Sequence, residues 1–407
     1  MSILFLRSKK QSRMNNVSNQ KDKPIALMTA SVASMIDSFN MDNISLLKQL
    51  GYQVHVATNF EENNISSERI AAFKKKLDAQ GVRYFHIPMP RNPTNLTAVL
   101  KSYRCMQLLV NEWEYSLVHC HSPTGGVVAR LACRKARKNG TTVIYTAHGF
   151  HFFKGAQLLN WLLFYPIEWF CSLFTDVLIT INQEDFSRAK AFRAKRVTYV
   201  PGIGVHTEQF RDVQIEREKK RNQLGFTNRD FVFASVGELS VRKNHEVIIR
   251  ALAKMKNHFA KYLIVGDGAL LHSLKQQVID LGLEDCVIFA GYRNDIVELL
   301  HAADAFVFPS LQEGLPVALM EAMSVGMPIV CSRIRGNTDL IEDGMGGYVV
   351  DPCDIDGFSD AMKKIMAGNC SEMGNVNINT MKKFDVSVVT AEMEKIYSHA
   401  KSRTDAD

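Results

Sequence analysis

The sequence predicts an α/β protein made of two successive units, each a parallel sheet covered by helices, with one helix at the end returning to the first unit. Three observations carry this. Short apolar runs of strand length alternate with longer amphipathic segments along most of the chain, the pattern of strand–helix–strand units whose strands are buried on both faces. The alternation pauses once, at "VTYVPGIGVHTEQF" (Val197–Phe210), where Pro201, Gly202 and Gly204 interrupt it, and restarts at Asp230. A chain of 407 residues is also too long for one ordinary hydrophobic core.

Taken in order, residues 1–23 are polar, basic and aperiodic, and read as a disordered tail. The first unit is expected over 24–200. Its strand candidates are "PIALMTA" (Pro24–Ala30), "YQVHVAT" (Tyr52–Thr58), "RYFHIPM", "SLVHCHS" (Ser116–Ser122), "TTVIYTAHG" (Thr141–Gly149) and "TDVLITIN" (Thr175–Asn182), with helices such as "MDNISLLKQLG" (Met41–Gly51) between them. The second unit, 201–383, offers "DFVFASVGELS" (Asp230–Ser240), "KYLIVGDG" (Lys261–Gly268), "DCVIFAGY" (Asp285–Tyr292), "ADAFVFPS" (Ala303–Ser310), "MPIVCS" (Met327–Ser332) and "GGYVVD" (Gly346–Asp351). Residues 384–407 hold an amphipathic helix placed to pack back across the first unit. The aromatic stretch "AQLLNWLLFYPIEWFCSLF" (Ala156–Phe174) is interrupted by Asn160, Pro166 and Glu168, whereas a membrane-spanning helix needs about 20 apolar residues. It reads as a pair of core helices or as an aromatic helix lying in a membrane interface.

Composition narrows the class. Hydrophobic content of 46% and charged content of 22% are those of a soluble globular protein. Eight cysteines without C-x-x-C or zinc-like spacing read as small buried residues in a reducing compartment, and no secretory signal is visible. The net charge of +7 is uneven: residues 1–200 hold 26 Lys+Arg against 13 Asp+Glu, and the remainder 23 against 29. A basic first half suggests an anionic partner, either nucleic acid or an acidic membrane surface, although no recognisable nucleic-acid module appears. Much of the excess lies in the tail and in "RLACRKARK" (Arg130–Lys138), where it also reads as a solvated helix face.

Three stretches carry chemistry. In "SLQEGLPVALMEAMSVGMP" (Ser310–Pro328) a strand end runs through Gly314 and Pro316 into a helix apolar on nearly every side, yet carrying Glu321, with Glu313 just before it. A helix N-terminus with free N–H groups suits a phosphate or a sugar head. A carboxylate accepts hydrogen bonds only, so the paired hydroxyls of a ribose would satisfy Glu321. In "SVGELSVRKNH" (Ser235–His245) a strand ends at Gly237 and a loop delivers Arg242 and Lys243, two cations able to neutralise a diphosphate. In "TAHGFHFFKG" (Thr146–Gly155) His148 follows a strand. "VGDGALL" has Leu271 where a dinucleotide fingerprint needs its third glycine. There is no P-loop, no G-x-S-x-G and no metal-spaced His/Cys cluster.

Together these stretches resemble the retaining GT-B glycosyltransferases of the glycosyltransferase family 4 type. The E-x7-E element Glu313–Glu321 is the most specific signal, and "VGELSVRKNH", "LIVGDG", "FAGYRNDIVELLHAADAFVFPS" and "GMPIVCSRIRGNTDLIEDGMGGYVVD" follow in the family's order. "HGFHFFKG" looks most like the transferases of capsule and exopolysaccharide assembly. The resemblance implies two Rossmann-like domains facing across a cleft, the first binding the acceptor and the second the nucleotide sugar. It implies that Glu313 binds donor-sugar hydroxyls, Glu321 the ribose, and Arg242 and Lys243 the diphosphate, with Gly237 letting the backbone approach. Leu315, Pro316 and Val317 would line the sugar–phosphate pocket, Tyr292 and Arg293 would border the nucleobase, and His148 would face the donor sugar from the other domain. The implied partners are a UDP-sugar, a lipid-linked saccharide acceptor and the anionic inner face of the cytoplasmic membrane, where the protein would sit peripherally; no metal or other cofactor is implied. The chain departs from many relatives in "TASVASMIDSFN" (Thr29–Asn40), where they have a Gly-rich turn. Two rivals share the architecture: a nucleotide-sugar epimerase, which needs no acceptor, and an inactive membrane scaffold.

Overall fold

Seven parallel strands form the first sheet: β1 (Ile25–Thr29), β2 (Gln53–Thr58), β3 (Arg83–His86), β4 (Leu117–His121), β5 (Thr142–Ala147), β6 (Val177–Thr180) and β7 (Arg196–Tyr199), in the order β3-β2-β1-β4-β5-β6-β7. The second sheet contains β8 (Phe231–Val236), β9 (Ala260–Val265), β10 (Val287–Gly291), β11 (Ala305–Phe308), β12 (Ile329–Ser332) and β13 (Gly347–Val350), in the order β10-β9-β8-β11-β12-β13. This computed structural model describes residues 23–62, 65–90, 94–211, 213–368 and 370–404. All but the last residue of the expected tail lies outside the described residues.

The central strands are buried along their whole length: every residue of β4 and β5 is buried, His119 and His121 of β4 included, as befits strands covered by helices on both faces. In each sheet the strand order reverses once, between β1 and β4 and between β8 and β11. Such switch points open a crevice beyond the carboxyl ends of the strands, where α/β sheets bind ligands. The loops after β5, β8 and β11 carry His148, Arg242–Lys243 and Glu313 respectively.

Three local features differ from expectation. Val197–Tyr199 sits within the expected break, yet Arg196–Tyr199 forms the edge strand β7, paired to β6 from Val177↔Arg196 to Thr180↔Tyr199. Pro201 and Gly202 lie beyond it, so the break signal was real but began later. Ala156–Phe174 yields one helix, Leu158–Ser172, in place of a core pair. Pro166 is inside it but partly open to solvent, so the backbone group it frees can reach water. Arg130, in the basic run "RLACRKARK" (Arg130–Lys138) whose charges also read as a solvated helix face, is fully buried: it bonds Glu168 at 2.8 Å and stacks over the Tyr145 ring at 3.9 Å.

The final helix, Val386–Thr404, lies on the first sheet. Val389, Met393, Ile396, Tyr397 and Ala400 join the core built on β1 and β2. The two chain crossings between the units run side by side, with Val205 N–H donating to Phe384 O at 3.1 Å and Val386 N–H to Val205 O at 3.0 Å. Gly204 belongs there because its φ is +79° and an added Cβ would lie 2.7 Å from Val386 Cα.

Candidate functional site

After β8 the chain makes one 3₁₀ turn, Val241–Lys243, and Asn244 takes a left-handed conformation before the helix His245–Met255. Asn244 holds this loop to the neighbouring strand ends, its Nδ2 donating to the carbonyls of Pro309 (3.1 Å) and Pro352 (2.9 Å). Leu311 N–H donates to Arg242 O at 2.8 Å. The loop after β8 is thereby stitched to the loop after β11, which places Arg242 and Lys243 beside Glu313. Arg242 Nη1 lies 2.7 Å and Lys243 Nζ 2.9 Å from the same oxygen, Glu313 Oε1. Lys243 lies along Gly237, where an added Cβ would stand 3.1 Å from its Cε, and its Nζ is 4.6 Å from the Phe308 ring. Burial pulls the Lys243 pKa down, and the Glu313 carboxylate partly offsets this. Two cations share one carboxylate, so the cluster keeps a net positive charge that a diphosphate would neutralise.

Glu313 leads into the helix Val317–Val325. Pro316, a residue suited to the first helical position, is instead the N-cap, at φ −81° and ψ 116°. Among the described residues no side chain caps this end, so the N–H groups of Val317 and its two successors are available to a ligand and carry the positive end of the dipole. Leu315 and Pro316 are buried beneath. Glu321 sits one turn further along and has no hydrogen-bond or ion-pair partner among the described residues. Desolvation by burial raises its pKa to about 7. A half-buried carboxylate without a partner is costly; hydroxyl donors from a ligand would relieve that cost.

Tyr292 and Arg293 follow β10. Tyr292 is 70% exposed. Arg293 is engaged by Asp295, which its Nε reaches at 2.7 Å and which also pairs with Lys220. Among the described residues, no hydrogen bond or ion pair joins these two to the cluster.

The first unit brings its loop after β5 directly against Glu313. Gly314 permits an unusual backbone angle but does not adopt one. It has no positive φ, and what it needs is room: an added Cβ would stand 1.8 Å from His148 O. Gly149, at φ +134°, packs its own face against Gly314, with a Cβ position 3.0 Å from Gly314 Cα. The backbone of His148 therefore meets the second unit at the seam.

Behind His148 lies a row of buried histidines. His148 Nε2 is 3.0 Å from His121 Nδ1, and His121 Nε2 is 3.1 Å from Met28 Sδ. A thioether has no proton to give, so His121 Nε2 carries the hydrogen and its Nδ1 accepts. His148 then donates from Nε2, which leaves its Nδ1 as a bare acceptor without a partner among the described residues. The His119 ring lies 4.1 Å from that of His121, tilted by 42°, and bonds the Tyr397 hydroxyl and Thr146, both at 2.8 Å. Burial lowers the pKa of His119 to about 3 and of His148 to about 4, and holds His121 well below its ordinary value. The row is neutral near pH 7, suited to accepting a hydroxyl proton in a hydrogen bond and unsuited to supplying charge.

Sequence reasoning missed Arg335 and Asp185. Arg335 Nη1 bonds Asp185 Oδ1 at 2.7 Å across the two units, its Nη2 donates to Phe150 O, and its Nε donates to Glu313 O at 3.0 Å. One guanidinium therefore ties the loop after β5 to the loop after β11. The partners are 150 residues apart, and no local pattern signals such a pair.

Two family models match the chain: "Glycosyltransferase Family 4" over residues 41–209 and "Glycosyl transferases group 1" over 216–383. EpsD of Bacillus subtilis (strain 168) is 36% identical over 91% of this chain and 96% of its own length. The chain belongs to the glycosyltransferases of this group 1 and family 4 type. The Escherichia coli UDP-Gal:alpha-D-GlcNAc-diphosphoundecaprenol alpha-1,3-galactosyltransferase is 31% identical over 75% of this chain and 82% of its own. Anabaena HepE in complex with UDP and glucose superposes with a TM-score of 0.73 at 21% identity, covering 92% of this glycosyltransferase and 100% of HepE. That likeness shows the two-domain GT-B fold.

Proposed function

We propose that the enzyme transfers a hexose or N-acetylhexosamine from a UDP-sugar, with retention at the anomeric carbon, to a lipid-linked saccharide in capsule or exopolysaccharide assembly at the inner face of the cytoplasmic membrane. The single observation that carries this reading is the convergence of Arg242, Lys243, Glu313 and an uncapped helix end on one point of the interdomain seam, opposite His148. As the bond from the anomeric carbon to the diphosphate breaks, negative charge gathers on the leaving diphosphate. Arg242, Lys243 and the N–H groups at Val317 are placed to stabilise it, so the reading calls for no metal ion. An arriving diphosphate takes over the two cations and releases Glu313 to accept hydrogen bonds from the donor sugar. Glu321 accepts from the ribose, and His148 Nδ1 accepts from a donor-sugar hydroxyl. Tyr292 and Arg293 border the base at the far end of the second sheet, Arg293 after exchanging or sharing Asp295.

UDP as the nucleotide is supported by the HepE complexes with UDP and with UDP-glucose and by the UDP-Gal-dependent relative. The lipid-linked acceptor is supported by that relative's diphosphoundecaprenol substrate. The test is transfer from a panel of nucleotide sugars to a diphosphate-linked saccharide acceptor, wild type against Arg242→Ala and Glu313→Ala. Each variant is expected to lose about a hundredfold or more in rate; near-wild-type transfer by both sinks the assignment. A new nucleotide sugar formed from donor alone would favour the epimerase.

A further inference from the structure

The helix Leu158–Ser172 reverses the usual arrangement of a surface helix. Its one charged side chain, Glu168, faces inward, bonded to Arg130 at 2.8 Å and to the Tyr145 hydroxyl at 3.1 Å. Its outer face is hydrocarbon: Leu158, Leu159 and Leu162 are 73%, 68% and 67% exposed, and Leu163, Ile167 and Phe170 continue the same stripe. A soluble monomer rarely leaves so long a contiguous apolar face in water. The rim is cationic. The Arg134 guanidinium lies 5.8 Å from the Phe174 ring, Arg137 donates to Leu173 O at 3.3 Å, and the exposed Arg193 and Lys154 flank the two ends. The neighbouring carboxylates are already engaged: Asp176 by Arg137 and Lys195, Glu184 by Arg188. Fifteen residues make about 22 Å of helix, short of the roughly 30 Å hydrocarbon core, and no described helix is long and apolar enough to cross a membrane.

We propose that this helix lies flat in the headgroup region of an anionic bilayer, its leucine face among the acyl chains and its arginine rim at the phosphates. The charge decides the occupant: a second copy of the chain would bring one cationic rim against another, whereas acidic lipid complements it. The proposal rests on the reading of a lipid-linked acceptor and gives it a location. The inner face of the same helix packs on the loop that carries His148, with Phe164 stacked on His151 at 4.6 Å and Trp161 tilted against Phe152 at 5.7 Å. Docking would hold the cleft within one loop of the surface from which the acceptor projects.

The test is co-sedimentation of the full chain with vesicles of phosphatidylglycerol in phosphatidylcholine, and with vesicles of phosphatidylcholine alone. Wild type is expected to bind the anionic vesicles at least about tenfold more tightly than the neutral ones. Leu159→Glu/Leu162→Glu, on the exposed face, is expected to lose at least about tenfold in binding to the anionic vesicles. Leu159→Ser/Leu162→Ser repeats the test without added charge, and the thermal shift given by a UDP-sugar reports folding and the donor site. Equal vesicle binding by both variants overturns the proposal, as does a wild type that ignores vesicles or that forms a dimer dissociated by the same substitutions. Vesicle binding that persists while no UDP-sugar produces a shift would sink the transferase reading and leave this one standing.

Discussion

Replacing Asp185 by asparagine tests whether the seam between the units is held by charge. Asp185 is fully buried and accepts from Arg335 at 2.7 Å, from Phe150 N–H at 2.9 Å and from Asn182 Nδ2 at 2.9 Å. Arg335, 8% exposed, pairs with no other carboxylate among the described residues. The Asp185→Asn side chain would keep the volume and strand the guanidinium as an uncompensated buried charge, a penalty of about 3–5 kcal/mol. Because the pair joins two separately cored units, that penalty is relieved by parting the seam before either unit unfolds. A shift of about 3 kcal/mol moves an open–closed equilibrium more than a hundredfold. The expected result is a kcat lowered by about two orders of magnitude, a larger radius of gyration in solution scattering, and a UDP affinity close to that of wild type, since the diphosphate-binding groups all lie on the second unit. Asp185→Asn/Arg335→Met, which removes both charges, should recover much of the loss. A single variant with wild-type kcat, or one whose UDP affinity falls as far as its kcat, would refute the reasoning.

Other outcomes follow from the same geometry. Gly314→Ala, with a Cβ aimed at His148 O, should abolish most transfer while leaving UDP binding measurable by calorimetry; full activity would show that the seam opens freely during turnover. Glu321 has a folded pKa of about 7 against an ordinary 4.5. Its protonated form is therefore favoured in the fold, and stability intact below pH 4.5 is lost as pH rises to about 7, by on the order of 3 kcal/mol. Glu321→Gln should flatten the melting temperature over that window, and it should abolish the rise in UDP-sugar affinity expected there as the carboxylate ionises. His121→Phe removes the acceptor that fixes the His148 tautomer and should weaken binding of the donor sugar about fivefold, the worth of one hydrogen bond near 1 kcal/mol, with the affinity for UDP, which carries no sugar, unchanged. An equal loss of UDP binding would mark His121 as merely structural.

Much of the site was legible because its residues lie where local sequence rules act. A strand ending at Gly237 must release a loop at the sheet's carboxyl edge, and Pro316 before an apolar run must start a helix, so Arg242, Lys243, Glu313 and Glu321 could be named from spacing and chemistry. The element Arg196–Tyr199 was obscured by the turn residues just beyond it. The inward turn of Glu168 was hidden because its partner Arg130 is 38 residues away.

By itself, then, the amino-acid order determined the two layered units, the division of charge between them and the cluster of groups suited to a diphosphate, since burial periodicity, turn chemistry and capping act over a few neighbouring residues. Only the tertiary structure decided that Arg335 reaches Asp185, that Met28 sets the proton on His121, and that a leucine stripe faces outward. Those outcomes depend on how two sheets and their loops meet in space, and contacts between segments distant along the chain leave no periodic trace in it.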